Sequence, residues 1–280
     1  VSFYTEDGLA AAVQLGEDLV PVSTLDAPAM TVRGLLATLD GEGLRALQAR
    51  AEQAEERIAL ADVTLHAPIT DPQKIICLGL NYRDHAAETG QDIPANPMWF
   101  AKFANSLIGS GADIVLPRAH PEYVDYEAEL ALVIGRPARN VDAEDALSHI
   151  AGAMAFNDVS ARDLQLQNTL WTSGKAIDTF APCGPALVTL EEIEDLQALG
   201  LRTRIDGELL QQGTTANLIF GPAEVLAWLS RTMTLLPGDI IATGTPAGVG
   251  AAQGRFLRDG DTVEVEIDGL GVLRNPVRAE

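Results

Sequence analysis

The sequence predicts an α+β protein, mainly β with a few helices, and three observations predict it. Beyond residue 70 the chain breaks into short apolar runs separated by Gly and Pro at irregular spacing, Asp206-Gly207 and Asp268-Gly269 are hairpin-turn dipeptides, and helical periodicity is confined to a few stretches. That order does not suit an alternating βαβ fold.

In chain order, 11–15 and 19–22 alternate as short strands, and Thr31 opens a helical stretch to Leu39. Leu44, Leu47, Ala51, Ala54 and Ile58 follow at spacings of 3, 4, 3 and 4, one apolar stripe of a second helix. The segment 66–72 holds two prolines and several turn formers and reads as a linker. Residues 1–70 are therefore expected to form a small N-terminal α/β domain, and 71–280 the main one. Within the main domain, strands are expected at 75–80, 130–134, 150–156, 186–190, 201–205, 239–243 and 262–267. Pro222 suits the first position of a helix that carries Val225, Leu226 and Leu229 on one face.

Composition excludes several classes of function. In 280 residues, 19 Lys+Arg stand against 40 Asp+Glu, a net charge of −21, so no basic surface exists to neutralise nucleic-acid phosphates or dock on anionic lipid. The first residues lack a basic and apolar leader and no window nears 18 uncharged apolar residues, so neither export nor membrane spanning is expected. Cys77 and Cys183 form no Cys-x-x-Cys pair, which fits a reduced cytoplasm. Ser173-Gly174-Lys175-Ala176 resembles the end of a phosphate-binding loop, but Thr169 stands where its first Gly belongs and Ala176 where a hydroxyl belongs. Neither a dinucleotide fingerprint nor a Gly-x-Ser-x-Gly elbow occurs. An anionic substrate would be repelled by this surface and would need a local positive centre, for which a bound cation is the simplest choice.

Five segments carry chemistry. In Asp125-Tyr126-Glu127-Ala128-Glu129, two residues apart on a strand share a face, so Glu127 and Glu129 present carboxylates to one point. A solvated strand face is the other reading, as in 262–267, where apolar and acidic residues alternate. The run 130–134, however, is apolar on both faces, and carboxylates entering such a strand require cations or a shared metal. Asp158, ending the strand before Val159-Ser160-Ala161-Arg162, either supplies a third carboxylate or caps a helix. Three carboxylates without Cys or His select a hard cation, Mg²⁺ or Mn²⁺.

A short helix over 83–89, ended by Gly90, would put His85 and Glu88 three apart on one face. Such a pair is either an exposed ion pair or a carboxylate-oriented general base, and Pro94 and Pro97 would let the segment act as a flap. Lys175 stands in an apolar, Gly- and Pro-punctuated segment and needs a counter-charge, from a metal site, an anionic substrate or a structural ion pair. The loop from Gly238 to Gly250 either offers backbone N–H groups to a carboxylate or is a simple turn.

In their order and wording these segments resemble the fumarylacetoacetate hydrolase family over residues 74–277. The resemblance rests on Gly79-Leu80-Asn81-Tyr82-x-x-His85, Asp125-Tyr126-Glu127-x-Glu129, Asn157-Asp158-Val159-Ser160-x-Arg162-Asp163, Gly174-Lys175-x-x-Asp178-Thr179-Phe180 and Gly238-Asp239-Ile240-Ile241-x-Thr243-Gly244-Thr245-Pro246-x-Gly248-Val249-Gly250. It implies a mixed β-sandwich roll behind a small N-terminal domain, and a homodimer. It implies Glu127, Glu129 and Asp158 as ligands of Mg²⁺ or Mn²⁺, and His85 with Glu88 as the pair that activates water from a lid. Lys175 would lie close to the metal, and Gln211, Thr215 and Thr245 would touch substrate. Where the family commonly has Ser after that lysine, this chain has Ala176.

The activity so implied is hydrolysis of a C–C bond in a 2,4-dioxo acid of the acylpyruvate or fumarylpyruvate type, through a metal-bound enolate. The alternatives, decarboxylation of oxaloacetate or a related 2-oxo diacid and tautomerisation, pass through the same enolate. A non-catalytic binding module would have a broken triad or pair, and all five residues are present here.

Overall fold

The computed structural model describes residues 1–120, 122–167 and 169–280. The strand Ala128–Ile134 organises the molecule, because every residue in it is buried. Leu130, Leu132 and Ile134 point to one side and Ala131 and Val133 to the other, the two-residue period of a strand with a core on each face. It sits fourth in a mixed seven-stranded sheet of order Met98–Lys102, Ile75–Gly79, Ile240–Ala242, Ala128–Ile134, Ile150–Asn157, Ala181–Thr189 and Leu107–Ile108.

On one face this sheet packs against a five-stranded sheet of order Glu208–Thr214, Gly200–Ile205, Thr262–Ile267, Gly271–Ala279 and Ile114–Leu116. Leu201, Val265, Ile267 and Leu273 from that sheet join Leu130 and Leu132 in the largest core cluster, which the helix Pro222–Ser230 closes with Val225, Leu226 and Leu229. Asp206-Gly207 and Asp268-Gly269 make the two hairpins expected of them, as the pairings Ile205 with Glu208 and Ile267 with Gly271 require. In Thr262–Ile267 the acids do alternate with buried Val263, Val265 and Ile267, half-buried in ion pairs with Arg202, Arg204 and Arg274. The layering is the α+β sandwich that the sequence predicted.

A second five-stranded sheet, of order Ile58–Ala59, Asp18–Pro21, Gly8–Leu15, Ser2–Thr5 and Leu65–His66, holds the N-terminal residues. Thr31 caps the helix Val32–Thr38 by accepting from Gly34 N at 3.0 Å, and Asp40 caps Gly41–Glu52 in the same way from Gly43 N at 2.9 Å. Three expectations need correction. The second helix stops at Glu52, and Ile58, in phase with its stripe, instead pairs in a strand with Leu19. The stretch read as a linker is packed: Ala67, Pro68 and Ile69 are buried, and Ala67 and Ile69 join Leu36 against the second face of the seven-stranded sheet. The strand expected at 186 begins at Ala181 and runs through Pro182 and Pro185, residues that argue against a strand by pattern alone. Among the described residues no helix is long and apolar enough to cross a membrane.

Candidate active site

Glu127 precedes the central strand and Glu129 lies inside it, so both carboxylates take the side of Ala131 and Val133. Antiparallel pairing of Ala128 with Asn157 brings the end of the neighbouring strand alongside, where Asp158 N donates to Glu127 O at 2.9 Å and Glu127 N to Asn157 Oδ1 at 3.0 Å. One oxygen each of Glu127, Glu129 and Asp158 then lies within 4.8 Å of the others, and all three residues are buried. Sheet register thus joins two carboxylates to a third that is 29 residues further along the chain.

Two lysines and an arginine surround them. Lys175 Nζ lies 2.8 Å from both Glu127 Oε2 and Asp158 Oδ2. Lys102 Nζ pairs with Asp158 Oδ1 and donates to Val159 O at 3.0 Å. Arg162 Nη1 is 2.7 Å from Glu127 Oε1, and its Nη2 is 2.7 Å from Asp125 Oδ2. Asp158 therefore faces the carboxylate cluster and caps no helix; the following helix, Arg162–Gln165, has no side-chain cap.

Burial alone would raise Glu127, but Lys175 and Arg162 override it and hold the carboxyl at about 2. Glu129 accepts from Gly244 N at 2.8 Å but forms no ion pair among the described residues. Burial first, then the charges of Asp158 and Glu127, push it well above the usual range. Burial would lower Lys175, yet Asp158 and Glu127 raise it, whereas for Lys102 burial wins and its ammonium is lowered.

The loop after the strand Ile240–Ala242 does bind carboxylates through its N–H groups, but they are the protein's own. Gly244 N serves Glu129, Gly248 N donates to Glu88 Oε1 at 2.9 Å, and Gly250 N and Ala251 N donate to Asp125 at 2.7 and 3.0 Å. The simple-turn reading and the expectation of a free anion cradle both give way to a clamp holding three carboxylates.

The helix Arg83–Thr89 ends at Gly90 in the left-handed conformation, as predicted. His85 Nδ1 lies 3.0 Å from Glu88 Oε2, and Glu88's other oxygen is held by Gly248. A neutral ring that donates Nδ1–H to this carboxylate presents its lone pair at Nε2, the form a general base requires. Arg83 donates to Leu218 O and Asn217 Nδ2 to Asp84 Oδ2 at 3.3 Å, so here the helix is docked. The His85 and Glu88 side chains remain 14% and 20% exposed, the pair's opening to solvent.

Gln211 and Thr215, expected to touch substrate, are both engaged within the protein. Gln211 is buried; its oxygen accepts from Ala128 N and Thr203 Oγ1 and its amide donates to Thr245 Oγ1 and Pro246 O, which uses every site it has. Thr215 Oγ1 is buried against Leu199, accepting its N–H and donating to its O. Thr245, 5% exposed, is held by Gln211. Sequence reasoning missed the parts played by Lys102, Asp125 and Arg162. The signal for Lys102 was present: two residues after Phe100 in the strand Met98–Lys102, it shares that residue's inward side.

Four carboxylates, Asp125, Glu127, Glu129 and Asp158, meet three cations, Lys102, Arg162 and Lys175. With all seven ionised one negative charge would be in excess, and it would fall on Glu129, the member without an ion pair among the described residues. A hard divalent cation fits this all-oxygen donor set and that uncompensated charge.

Known proteins place the arrangement. Residues 74–278 match the family description Fumarylacetoacetate (FAA) hydrolase C-terminal. A mitochondrial oxaloacetate tautomerase of Xenopus laevis is 40% identical over 286 aligned positions, covering 99% of this chain and 89% of that one. The structure of a 5-carboxymethyl-2-hydroxymuconate delta-isomerase from Mycobacterium smegmatis is 36% identical with a TM-score of 0.78, covering 100% and 98% of the two chains. That of maleylpyruvate hydrolase from Sphingobium sp. SYK-6 in complex with manganese(II) and pyruvate is 31% identical with a TM-score of 0.84, covering 99% and 98%.

Proposed function

The chain belongs to the fumarylacetoacetate hydrolase family, and on that premise we propose that it is a divalent-metal-dependent tautomerase of small 2-oxo diacids of the oxaloacetate type. The observation that carries the reading is the His85–Glu88 pair, fixed by the same loop that holds Glu129. The relatives named as tautomerase and isomerase support it. Hydrolysis, which the sequence put first, becomes the second reading.

Glu127, Glu129 and Asp158 would hold Mg²⁺ or Mn²⁺, which as a Lewis acid lowers the pKa of the C–H beside the 2-oxo group. The protein's own residues do the rest. His85 Nε2 takes the proton from C3 of the keto form while Glu88 stabilises the imidazolium through Nδ1; the imidazolium then gives that proton to the 2-oxo oxygen, directly or through solvent, which completes the enol and restores His85, and the reverse path regenerates the ketone. Lys175 and Lys102 keep the cluster from repelling the substrate's carboxylates, so that an anion can approach a chain of net charge −21. Thr245, at the loop's start, is retained as a substrate contact.

Hydrolysis of an acylpyruvate has one observation in its favour: the pair opens to solvent, so Nε2 can take a proton from water instead of carbon. We place the enzyme in the cytoplasm, since both cysteines are buried free thiols, and expect a homodimer of a chain divided into a 1–70 domain and a 71–280 domain. The test is turnover of enol-oxaloacetate, acylpyruvates and fumarylpyruvate side by side with Mg²⁺, Mn²⁺ and EDTA. Fast ketonisation abolished by EDTA is expected; ketonisation no faster than buffer, with rapid acylpyruvate cleavage, would replace this reading by the second.

A further inference from the structure

Buried polar atoms without a partner are rare in folded proteins and collect where a ligand completes them. Among the described residues four such side-chain atoms occur: Gln14 Oε1, Tyr82 OH, Tyr126 OH and Asp163 Oδ1. Tyr82 differs from the rest in its surroundings. The residue is fully buried, yet the apolar clusters that take in Phe100, Phe156, Phe180 and Tyr126 do not include it. It caps the N-terminus of the helix bearing His85 and Glu88, its carbonyl accepting from Ala86 N at 3.0 Å and its backbone bridging Leu218. Next to it, Asn81 Nδ2 donates to Thr243 O at 2.8 Å, one residue before the Gly244 N–H that holds Glu129. The backbone around Tyr82 is therefore pinned on both sides, between the triad and the general base.

We propose that the Tyr82 hydroxyl is a substrate-binding donor, giving its hydrogen to a carboxylate or enolate oxygen of the 2-oxo acid beside Glu129. A phenol suits this place better than a cation would. Burial, then the charges of Glu129 and Asp84, raise it far above neutrality, so it stays protonated and donates without competing for the triad's carboxylates. Within the protein the hydroxyl has no hydrogen-bond partner, so its contribution is kept for the bound state, where a donor to a charged oxygen is strongest.

This inference rests on the function proposed above, and the test separates the two. Oxalate, a planar dianion presenting the oxygens of a 2-oxo acid enolate, is titrated calorimetrically into Mn²⁺-loaded wild type and Tyr82→Phe. The expected result is an oxalate Kd raised about tenfold in the variant. Mn²⁺ affinity should stay within about twofold and Tm in EDTA should not fall, because no protein hydrogen bond is lost. In turnover, KM should rise by more than kcat falls. An unchanged oxalate Kd in Tyr82→Phe overturns the inference alone, and so does a fall in Tm and Mn²⁺ affinity together, which marks a structural role. Failure of the Mn²⁺-loaded wild type to bind oxalate overturns the functional reading itself.

Discussion

Replacing Glu129 by Gln tests whether the excess charge in the cluster is reserved for a metal. In the metal-free protein Glu129 has a folded pKa well above its ordinary 4.5, so the native state holds a proton that the unfolded chain releases. Its contribution therefore makes stability fall as pH rises from about 4.5 toward the raised value. Glu127, held at about 2, acts in the opposite sense: it stabilises fully above 4.5, by on the order of 3 kcal/mol, and that is lost as pH falls from 4.5 toward 2. Between pH 5 and 8 the Glu129 slope is opposed by the Val1 amino group, which burial lowers to about 6 so that stability rises with pH above it, and Glu129→Gln should remove the first and leave the second. Thermal unfolding in EDTA should then show the variant gaining Tm on wild type as pH rises, standing higher at pH 8 by about 2–4 °C, on the order of 1 kcal/mol. Mn²⁺ at a hundred times its Kd should stabilise wild type by about 2.7 kcal/mol, a shift of roughly 5–10 °C, and abolish the Glu129 contribution to its slope. The variant should gain little. Equal pH slopes for both proteins in EDTA, or equal Mn²⁺ shifts, would refute the reasoning.

Lys175→Met leaves Glu127 and Asp158 buried with one cation fewer, and urea unfolding in EDTA should register a loss of about 3–5 kcal/mol, part of which Mn²⁺ restores; an unchanged midpoint would show that the lysine is not their counter-charge. At Gly244 the backbone has φ +95° and an added Cβ would stand 2.9 Å from Asn81 Cβ, so Gly244→Ala should cost about 1–3 kcal/mol and weaken Mn²⁺ binding by moving the N–H off Glu129. Wild-type Mn²⁺ affinity in that variant, by calorimetry, would count against the clamp. His85→Ala and Glu88→Gln should each lower turnover by roughly 10²–10⁴ while Mn²⁺ affinity stays within about twofold; retained turnover would remove the pair from the proton transfer.

Where the chemistry was local, the sequence was enough. A run apolar on both faces located the central strand at 130–134, the two-residue period put Glu127 and Glu129 on one side, the i, i+3 spacing before Gly90 made the His85–Glu88 pair, and Asp-Gly dipeptides placed two hairpins. Each depends only on backbone geometry within a few residues. Contacts set by register between distant strands were not legible that way. Asp158 by itself read as a helix cap until pairing with the central strand brought it beside Glu127, Lys102 gave no sign of its partner, and the four internal bonds of Gln211 had no trace in its spacing. The sequence by itself determined which side chains could do the chemistry and that their carboxylates needed a cation. Only the tertiary structure decided which carboxylate is left without one, because an ion pair is fixed by distance in the folded sheet and not by spacing along the chain.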